Sequence, residues 1–586
     1  MTSAGWSASR GRRVGWGVAA IVVGVVLAAT AWVGVRTLLA RAELESAVPI
    51  AEEVRVGLIA GDESATGTAI VDLANHAAAA DALTSDPIYG LARAVPFVGP
   101  NLSAFREVTV TINRIVGTGL LPLASLAVAF EAGSLGPVDG AFQLQPLIDA
   151  APALDTADRV LRGARADLAA IDTSATVEPV TEAVERVSAV VDDAASAVST
   201  ASNVATLLPA MLGADADRTY LLMFQNNAEL RATGGLPGAL AIVNTSNGRF
   251  ALGEQSSATA FPRYEAPVLP LDRGTTSLYR QVGQFMQNVN STPEFPTAAA
   301  LASEMWRLQF GVEVDGVIAI DPVLLSYLLE ATGPVTVSTG DVLDSGTVVD
   351  FLLSQVYAKY PDPDTQDVVF ADAARAVFGA LSTGALDQGK LRDALARGGE
   401  ERRILIWNSR PDEARVLAGT TFDGDLPRTN AGGNTIGVFL NDATGAKMDY
   451  YLGAGVDVTS AGPETTATAV TLTSSAPEDA AISLPAYVTA GGVYGVPPGT
   501  IRTRVMVYGP VGTRIVSTSR DGGEIEAQVE EHLGRPVAQV TVDLAPGASS
   551  SVTVEIEGAD DRVPTFVQMT PLIRSADIGI EVPPNR

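Results

Sequence analysis

The chain has 586 residues, 47% of them apolar and 18% charged, with no cysteine, two histidines and a formal net charge of −28. That length exceeds a single hydrophobic core and predicts about three folded parts, while the apolar fraction argues against wholesale disorder. The acidic balance argues against a nucleic-acid partner, whose phosphates it would repel, and the lack of cysteine excludes disulfides, thiol nucleophiles and thiolate metal sites.

The first predicted element is a membrane-spanning helix from Val14 to Val35, an uncharged run between Arg13 and Arg36. At a rise of about 1.5 Å per residue it covers roughly 33 Å, enough for a hydrocarbon core of about 30 Å. Trp16 and Trp32 lie near its ends, where amphipathic rings favour the headgroup zone. Arg10, Arg12 and Arg13 precede it with no acidic residue among them, so residues 1–13 read as a cytoplasmic tail and the bulk as extracytoplasmic. Ala29-Thr30-Ala31 supplies the competing reading, a cleaved secretory signal, and either route puts the remainder outside the cytoplasm.

Residues 36–215 read as a helical bundle. Val177, Val180, Val184, Val187, Val191, Ala194, Val198, Ala201, Ala205 and Leu208 follow one another at alternating steps of three and four, and Leu154, Ala157, Leu161, Ala164, Leu168 and Ile171 do the same. With Asp172-Thr173-Ser174 between them, the two seams predict an antiparallel helical hairpin. The apolar run Ile115–Phe130 is too short to span a bilayer and reads as a buried helix, and Ala94 to Pro100 as a rigid turn. His76 lies among alanines in this helical part and His532 far away in a β-rich part, which disfavours a histidine triad or zinc site.

Residues 216–455 alternate short apolar runs (Tyr220–Phe224, Leu240–Val243, Val317–Ile320, Ile404–Trp407, Ile436–Leu440) with helical ones (Ala298–Leu308, Val349–Tyr357, Val368–Leu381), the pattern of an α/β layered domain. Residues 456–586 change to period-two alternation at Thr466–Thr473, Thr500–Tyr508, Val537–Leu544 and Ser551–Ile556. Turn pairs at Pro498-Gly499, Gly522-Gly523 and Pro546-Gly547 complete the signature of a C-terminal antiparallel β-sandwich. The expected fold class is therefore multidomain: one transmembrane helix, a helical bundle, an α/β domain and a sandwich.

The densest polar stretch in an apolar setting is Gln225-Asn226-Asn227-Ala228-Glu229-Leu230-Arg231-Ala232-Thr233-Gly234-Gly235. Two readings stand side by side. The amides can satisfy backbone groups at a strand end, with Glu229 and Arg231 neutralising each other on one face. Alternatively, the Arg231 guanidinium and backbone N–H groups near Gly234 hold an anion such as a phosphate. The candidate ligand-binding residues are thus Arg231, Gln225, Asn226, Asn227, Glu229, Thr233, Gly234 and Gly235, with Asp315 facing them across the sheet. Asp321-Pro322 is the signature of a helix N-cap and first helical position, closed by Gly333-Pro334. Asp362, Asp364 and Asp367 lack the glycine and distal glutamate of a calcium loop and read as helix ends, so no metal site is expected.

The stretch Arg218-Thr219-Tyr220-Leu221-Leu222, the Asn226 to Arg231 motif with Gly234-Gly235, Phe295-Pro296 and Val314 to Pro322 together resemble the Domain of Unknown Function 4012 family. That resemblance, taken over the anchor, helical and α/β parts, implies a single-span bacterial envelope protein and no established activity. Phe310 to Asp321, with Thr332-Gly333-Pro334-Val335 after it, more faintly resembles the LytR-CpsA-Psr family, which transfers glycopolymers from polyprenyl diphosphate to the cell wall. This likeness implies a diphosphate-contacting role for Arg231 and, for a transferase, magnesium. The family's aspartate after that arginine is replaced by Ala232, Thr233 and Gly234. The sequence thus leads to a membrane-anchored envelope protein that recognises a diphosphate-bearing or glycan ligand, a polyprenyl-diphosphate-linked glycan or a cell-wall polymer. A glycopolymer transferase and a non-enzymatic scaffold or sensor are the alternatives.

Overall fold

The computed structural model describes residues 8–60, 63–122, 137–383, 386–462 and 464–582. It divides into two compact units, Met1–Leu135 with Gln143–Ala210, and Gly136–Phe142 with Met211–Arg586.

In the first unit the helix Ala8–Ala60 carries the predicted span and continues well beyond it. Its stretch Ile21–Val54 is long and apolar enough to cross a membrane, with a mean hydropathy of 2.0, and Ile21, Val25 and Leu27 expose their side chains. The remaining helices include Glu63–Thr84, Gly99–Arg114, Gln145–Ala169 and Glu178–Met211. The predicted hairpin is present: Leu161, Ala164 and Leu168 pack with Val184, Val191 and Ala195, and Ala104 and Val108 complete the cluster. Asp172 fixes the turn by accepting the Ser174 backbone N–H at 2.9 Å. Of the apolar run Ile115–Phe130, Ile115–Leu120 forms a wide π-helical turn with Ile115, Val116 and Gly119 buried, and residues 123–130 lie outside the described residues. His76 bonds Glu43 Oε2 through Nδ1 at 2.6 Å.

The second unit opens with a two-residue pair, β1 (Pro137–Val138) and β2 (Ala141–Phe142), and then builds a five-stranded mixed sheet. Its strands are β3 (Arg218–Arg231), β4 (Gly234–Ser246), β5 (Arg249–Ser257), β6 (Gly316–Ile320) and β9 (Ile404–Asn408), in spatial order β5-β4-β3-β6-β9. A short pair, β7 (Val335–Thr336) and β8 (Val342–Leu343), follows the helix Pro322–Thr332. Every strand and helix predicted for this part is present, although the Ile436–Leu440 run joins a different sheet and the Val349–Tyr357 helix contains a π-helical turn, Phe351–Gln355.

Two further sheets follow. One is ordered β16-β17-β13-β10-β19, from β10 (Asn434–Asp442), β13 (Ile501–Tyr508), β16 (Gln528–His532), β17 (Arg535–Leu544) and β19 (Thr565–Met569). The other is ordered β15-β14-β18-β12-β11-β20, from β11 (Leu452–Gly462), β12 (Thr465–Ser474), β14 (Arg514–Arg520), β15 (Gly523–Glu524), β18 (Ser549–Glu557) and β20 (Asp577–Glu581). The expectation of a purely antiparallel sandwich is corrected here. β19 joins β10 in parallel, with Val567 beside Ile436, and β20 joins β11 in parallel, with Ile578 beside Val456. Both late strands are only five residues long, and pairing direction is set by where the returning chain docks rather than by a side-chain period.

The two sheets share one apolar layer in which Val438, Val456, Val470, Val505, Val542 and Val554 are buried. It runs on without a break to Tyr220, Leu222 and Leu230 of β3 and to Leu324 and Leu328 of the helix behind it. A second layer, centred on Phe295, Trp306 and Leu221, takes in Phe439, Met506 and Tyr508 from the later strands.

Leu161, almost fully buried between the hairpin helices, tests the bundle. Leu161→Ala should cost about 2–5 kcal/mol by loss of burial and an unfilled cavity, read as a lowered denaturant midpoint at 222 nm.

Candidate functional site

The polar stretch is the end of a β-hairpin. β3 runs through Arg231, Ala232 and Thr233 make the turn, and β4 returns from Gly234, with a register shift between Asn226 and Leu230. Gln225, Asn227, Thr233 and both glycines are buried. Gly235 is obligatory, since an added Cβ would stand 2.2 Å from the Asn226 backbone. Gln225 Oε1 accepts the Gly235 N–H at 3.1 Å, the Thr233 hydroxyl at 3.2 Å and Asn290 Nδ2 at 3.2 Å. Asn226 Oδ1 accepts the Ala228 N–H at 3.0 Å, and its amide donates to the Tyr357 hydroxyl at 2.8 Å. Neighbouring elements meet two backbone groups: Asp449 Oδ2 accepts the Leu230 N–H at 2.8 Å, and Asn441 Oδ1 accepts the Ala232 N–H at 3.1 Å, while Asn227 Oδ1 is buried without a hydrogen-bond partner.

Asn227 leads to a buried ionic knot. Its amide donates to Asp321 Oδ2 at 3.1 Å, and the same oxygen receives Arg403 at 2.8 Å. Asp321 Oδ1 caps the helix Pro322–Thr332 by accepting the Leu324 N–H at 2.8 Å, as its N-cap sequence predicted. Arg403 donates further to the Leu572 carbonyl at 2.8 Å and to Glu401. Burial opposes the charge of Arg403, but Asp321 and Glu401 more than compensate and raise its pKa.

Glu229 and Arg231 do not neutralise each other. Glu229 instead accepts Lys447 Nζ at 2.7 Å, and that ammonium lies 5.1 Å and 4.9 Å from the rings of Tyr357 and Tyr487. Burial disfavours the Lys447 charge, yet Glu229 and the two tyrosines raise its pKa overall. Arg231 makes a separate set of contacts. It donates to the Leu230 carbonyl at 2.9 Å and to Asn288 Oδ1 at 3.3 Å.

Around Arg231 gathers a cationic cluster that sequence reasoning missed. Arg504 is exposed on β13, and partial desolvation together with the like charges of Arg280 and Arg231 lowers its pKa, against the pull of Asp442. None of Arg231, Arg280 and Arg504 forms an ion pair among the described residues. Arg280 also holds a φ of 26° and ψ of −60°, a backbone state that costs about 1–3 kcal/mol. Arg504 opens onto a cavity of about 670 Å³ lined also by Arg502, Arg520, Thr541, Asp543 and Ser549. Asp543 neutralises Arg502 through contacts of 2.6 Å and 2.7 Å, and Arg520, like Arg504, has no such pair among the described residues. Only strand register could reveal this assembly, since Arg504 stands beside Asn441 on one side and Thr541 on the other.

Asp315 does not face the hairpin end, which corrects the expectation. Parallel pairing sets Gly316 beside Tyr220, at the start of β3, whereas the polar stretch begins after Phe224 and Ile320 at the far end. Asp315 accepts the Thr219 N–H at 2.9 Å and pairs with Arg410 at 3.2 Å, roughly 20 Å along the strand from Gln225 at about 3.3 Å per residue. Asp362 accepts the Thr365 N–H at 3.1 Å as a helix cap, and the side chains of Asp364 and Asp367 lie outside the described residues. No cluster of three metal-ligating side chains occurs among the described residues.

His532 is also missed by sequence reasoning as part of a buried chain. Its Nδ1 meets the Tyr508 hydroxyl at 2.9 Å, its Nε2 meets the Thr275 hydroxyl at 2.9 Å, and Tyr508 meets Tyr279 at 2.5 Å. Burial pushes its pKa down to about 4, with Arg428 and Arg535 adding to the effect and Asp272 opposing it.

Residues 215–357 match the family model described as Protein of unknown function (DUF4012), so this stretch of the chain is a DUF4012 region. It contains the hairpin, Arg231, Arg280 and Asp321, and excludes Arg403, Asp442 and Arg504. No curated protein matches the chain.

Two measurements test this geometry. Arg403→Met should destabilise by about 3–5 kcal/mol because Asp321 is left buried and unpaired, and adding Asp321→Asn should recover part of that loss in a double-mutant cycle. His532 stays neutral in the folded chain while the unfolded chain protonates near its ordinary pKa of 6.5. Its contribution is therefore complete above that pH and is lost toward pH 4. Wild-type stability minus that of His532→Gln should fall with acidification by about 1.4 kcal/mol per pH unit across this window in denaturant titrations.

Proposed function

We propose that this chain is a single-pass membrane protein of the cell envelope whose second unit lies outside the cytoplasm and binds an anionic envelope ligand. The ligand is a diphosphate-bearing or phosphorylated glycan, such as a polyprenyl-diphosphate-linked precursor or a cell-wall polymer. One observation carries the reading: in a chain of net charge −28, Arg231, Arg280 and Arg504 form no ion pair among the described residues, and the first two act as like charges on the third, with Asp442 opposing them. Like charges in proximity repel, and an anion bridging them would relieve that repulsion while forming short charge-assisted bonds. The sealed hairpin is the rigid mount that holds Arg231 in place, since its amides are spent on the protein itself.

The anchor reading is supported by the apolar helix and by the basic residues ahead of it. The ligand reading is supported by charge and geometry, and it assigns binding to the arginines rather than catalysis to the hairpin.

Calorimetric titration of the detergent-solubilised chain with a short-chain polyprenyl diphosphate tests it. Arg231→Ala and Arg504→Ala should each weaken binding by about tenfold or more, the loss expected for a charge-assisted pair worth roughly 1.5–3 kcal/mol. Unchanged affinity in both variants, with thermal unfolding intact, would refute the ligand assignment.

A further inference from the structure

The segment from Pro87 to Leu102 holds a single charged residue, Arg93, and a soluble fold would turn such a run inward. Here the reverse occurs. Leu91 is 75% exposed and Phe97 91%, with Ile88, Val95 and Val98 also exposed. Phe97 stands at a φ of 67°, a conformation disfavoured for a bulky L side chain. Arg93 turns back onto the helix Gly99–Arg114, donating to Ser103 Oγ at 3.1 Å and to Glu107 at 3.2 Å, so its charge is paired.

The position of this turn is fixed by the apolar helix. Tyr89 is fully buried with Val33 and Leu102. Trp32 Nε1 donates to Asp86 Oδ1 at 3.4 Å, and Arg36 donates to the Leu83 carbonyl at 3.1 Å. Asp86 in turn caps the short helix Pro87–Ala92 by accepting the Ile88 N–H at 2.8 Å. Trp32 and Val33 belong to the last turn of the Val14–Val35 run, and Arg36 ends it. The turn is therefore held beside the point where the run meets its first charge, the level at which a spanning helix leaves hydrocarbon.

We propose that Ile88, Leu91, Val95 and Phe97 form a second membrane contact, inserted into the leaflet from which the span emerges. This rests on the reading of the first helix as a membrane span. An uncharged, solvent-facing apolar patch continuous with a spanning helix fits lipid better than water, and the positive-φ turn aims Phe97 away from the protein. Two contacts in place of one would fix the tilt of the bundle on the bilayer.

The absence of cysteine makes single labels straightforward. Nitroxide labels at Val23→Cys, Leu91→Cys, Phe97→Cys and Asp149→Cys would be placed one at a time in the full chain, reconstituted in phosphatidylcholine vesicles. Collisions with oxygen, which partitions into lipid, are then compared with collisions with a water-soluble nickel chelate. Labels at 91 and 97 should show an oxygen-to-nickel ratio about threefold or more above that at 149, below the mid-bilayer value at 23, as expected for interfacial insertion. If 23 reports lipid while 91 and 97 match 149, the second contact is refuted and the span stands. If 23 is also open to nickel, the span reading fails and the proposal with it. Labels at 91 and 97 shielded from both reagents would reveal a protein partner on this face and overturn the proposal.

Discussion

The second unit depends on one buried interaction, the pairing of Asp321 with Arg403, whose side chains are 2% and 3% exposed. Removing two charges from water costs several kcal/mol per ion, and their attraction offsets this only when the remaining hydrogen-bonding capacity is met. Here it is met almost completely by other parts of the chain: a helix N-cap, the Asn227 amide, Glu401 and the Leu572 carbonyl. Residues 227, 321, 403 and 572 are thereby tied at a single point, and the pair selects this arrangement over looser ones because any other strands a charge.

That constraint explains why a stretch rich in amides is a structural element. Once Asn227 is committed to Asp321, and Gln225 to the turn it closes, the hairpin has no side-chain amide left to turn toward solvent. Glu229 is drawn to Lys447 between two tyrosine rings, which separates it from Arg231. The guanidinium at the hairpin tip is joined by two that are distant in sequence, and none of the three forms an ion pair among the described residues. Asp442 and Asp449 lie nearby: burial and the charge of Glu229 raise both pKa values, Asp442 adds to the effect at Asp449, and Arg231 pulls both back down.

The two units use different means to the same end. In the first, small residues at heptad spacing let helices pack closely, and an apolar turn remains outside beside the long N-terminal helix. In the second, one continuous apolar layer runs through three sheets, so the late strands act as part of the core for β3 and its helix.

The elements legible in the sequence were those encoded by a local period. The seam from Val180 to Val198, the Asp321-Pro322 cap, the β6 run and the alternation in β12 and β18 each carry their fold in neighbouring side chains, because backbone geometry repeats every 3.6 or every two residues. The pairing direction of β19 and β20, the separation of Asp315 from the hairpin, the choice of Lys447 over Arg231 as partner of Glu229, and the meeting of Arg231 with Arg280 and Arg504 have no local signature. They are set by which strands come to lie side by side and by which charge each burial leaves unpaired, and only the assembled tertiary structure decides that.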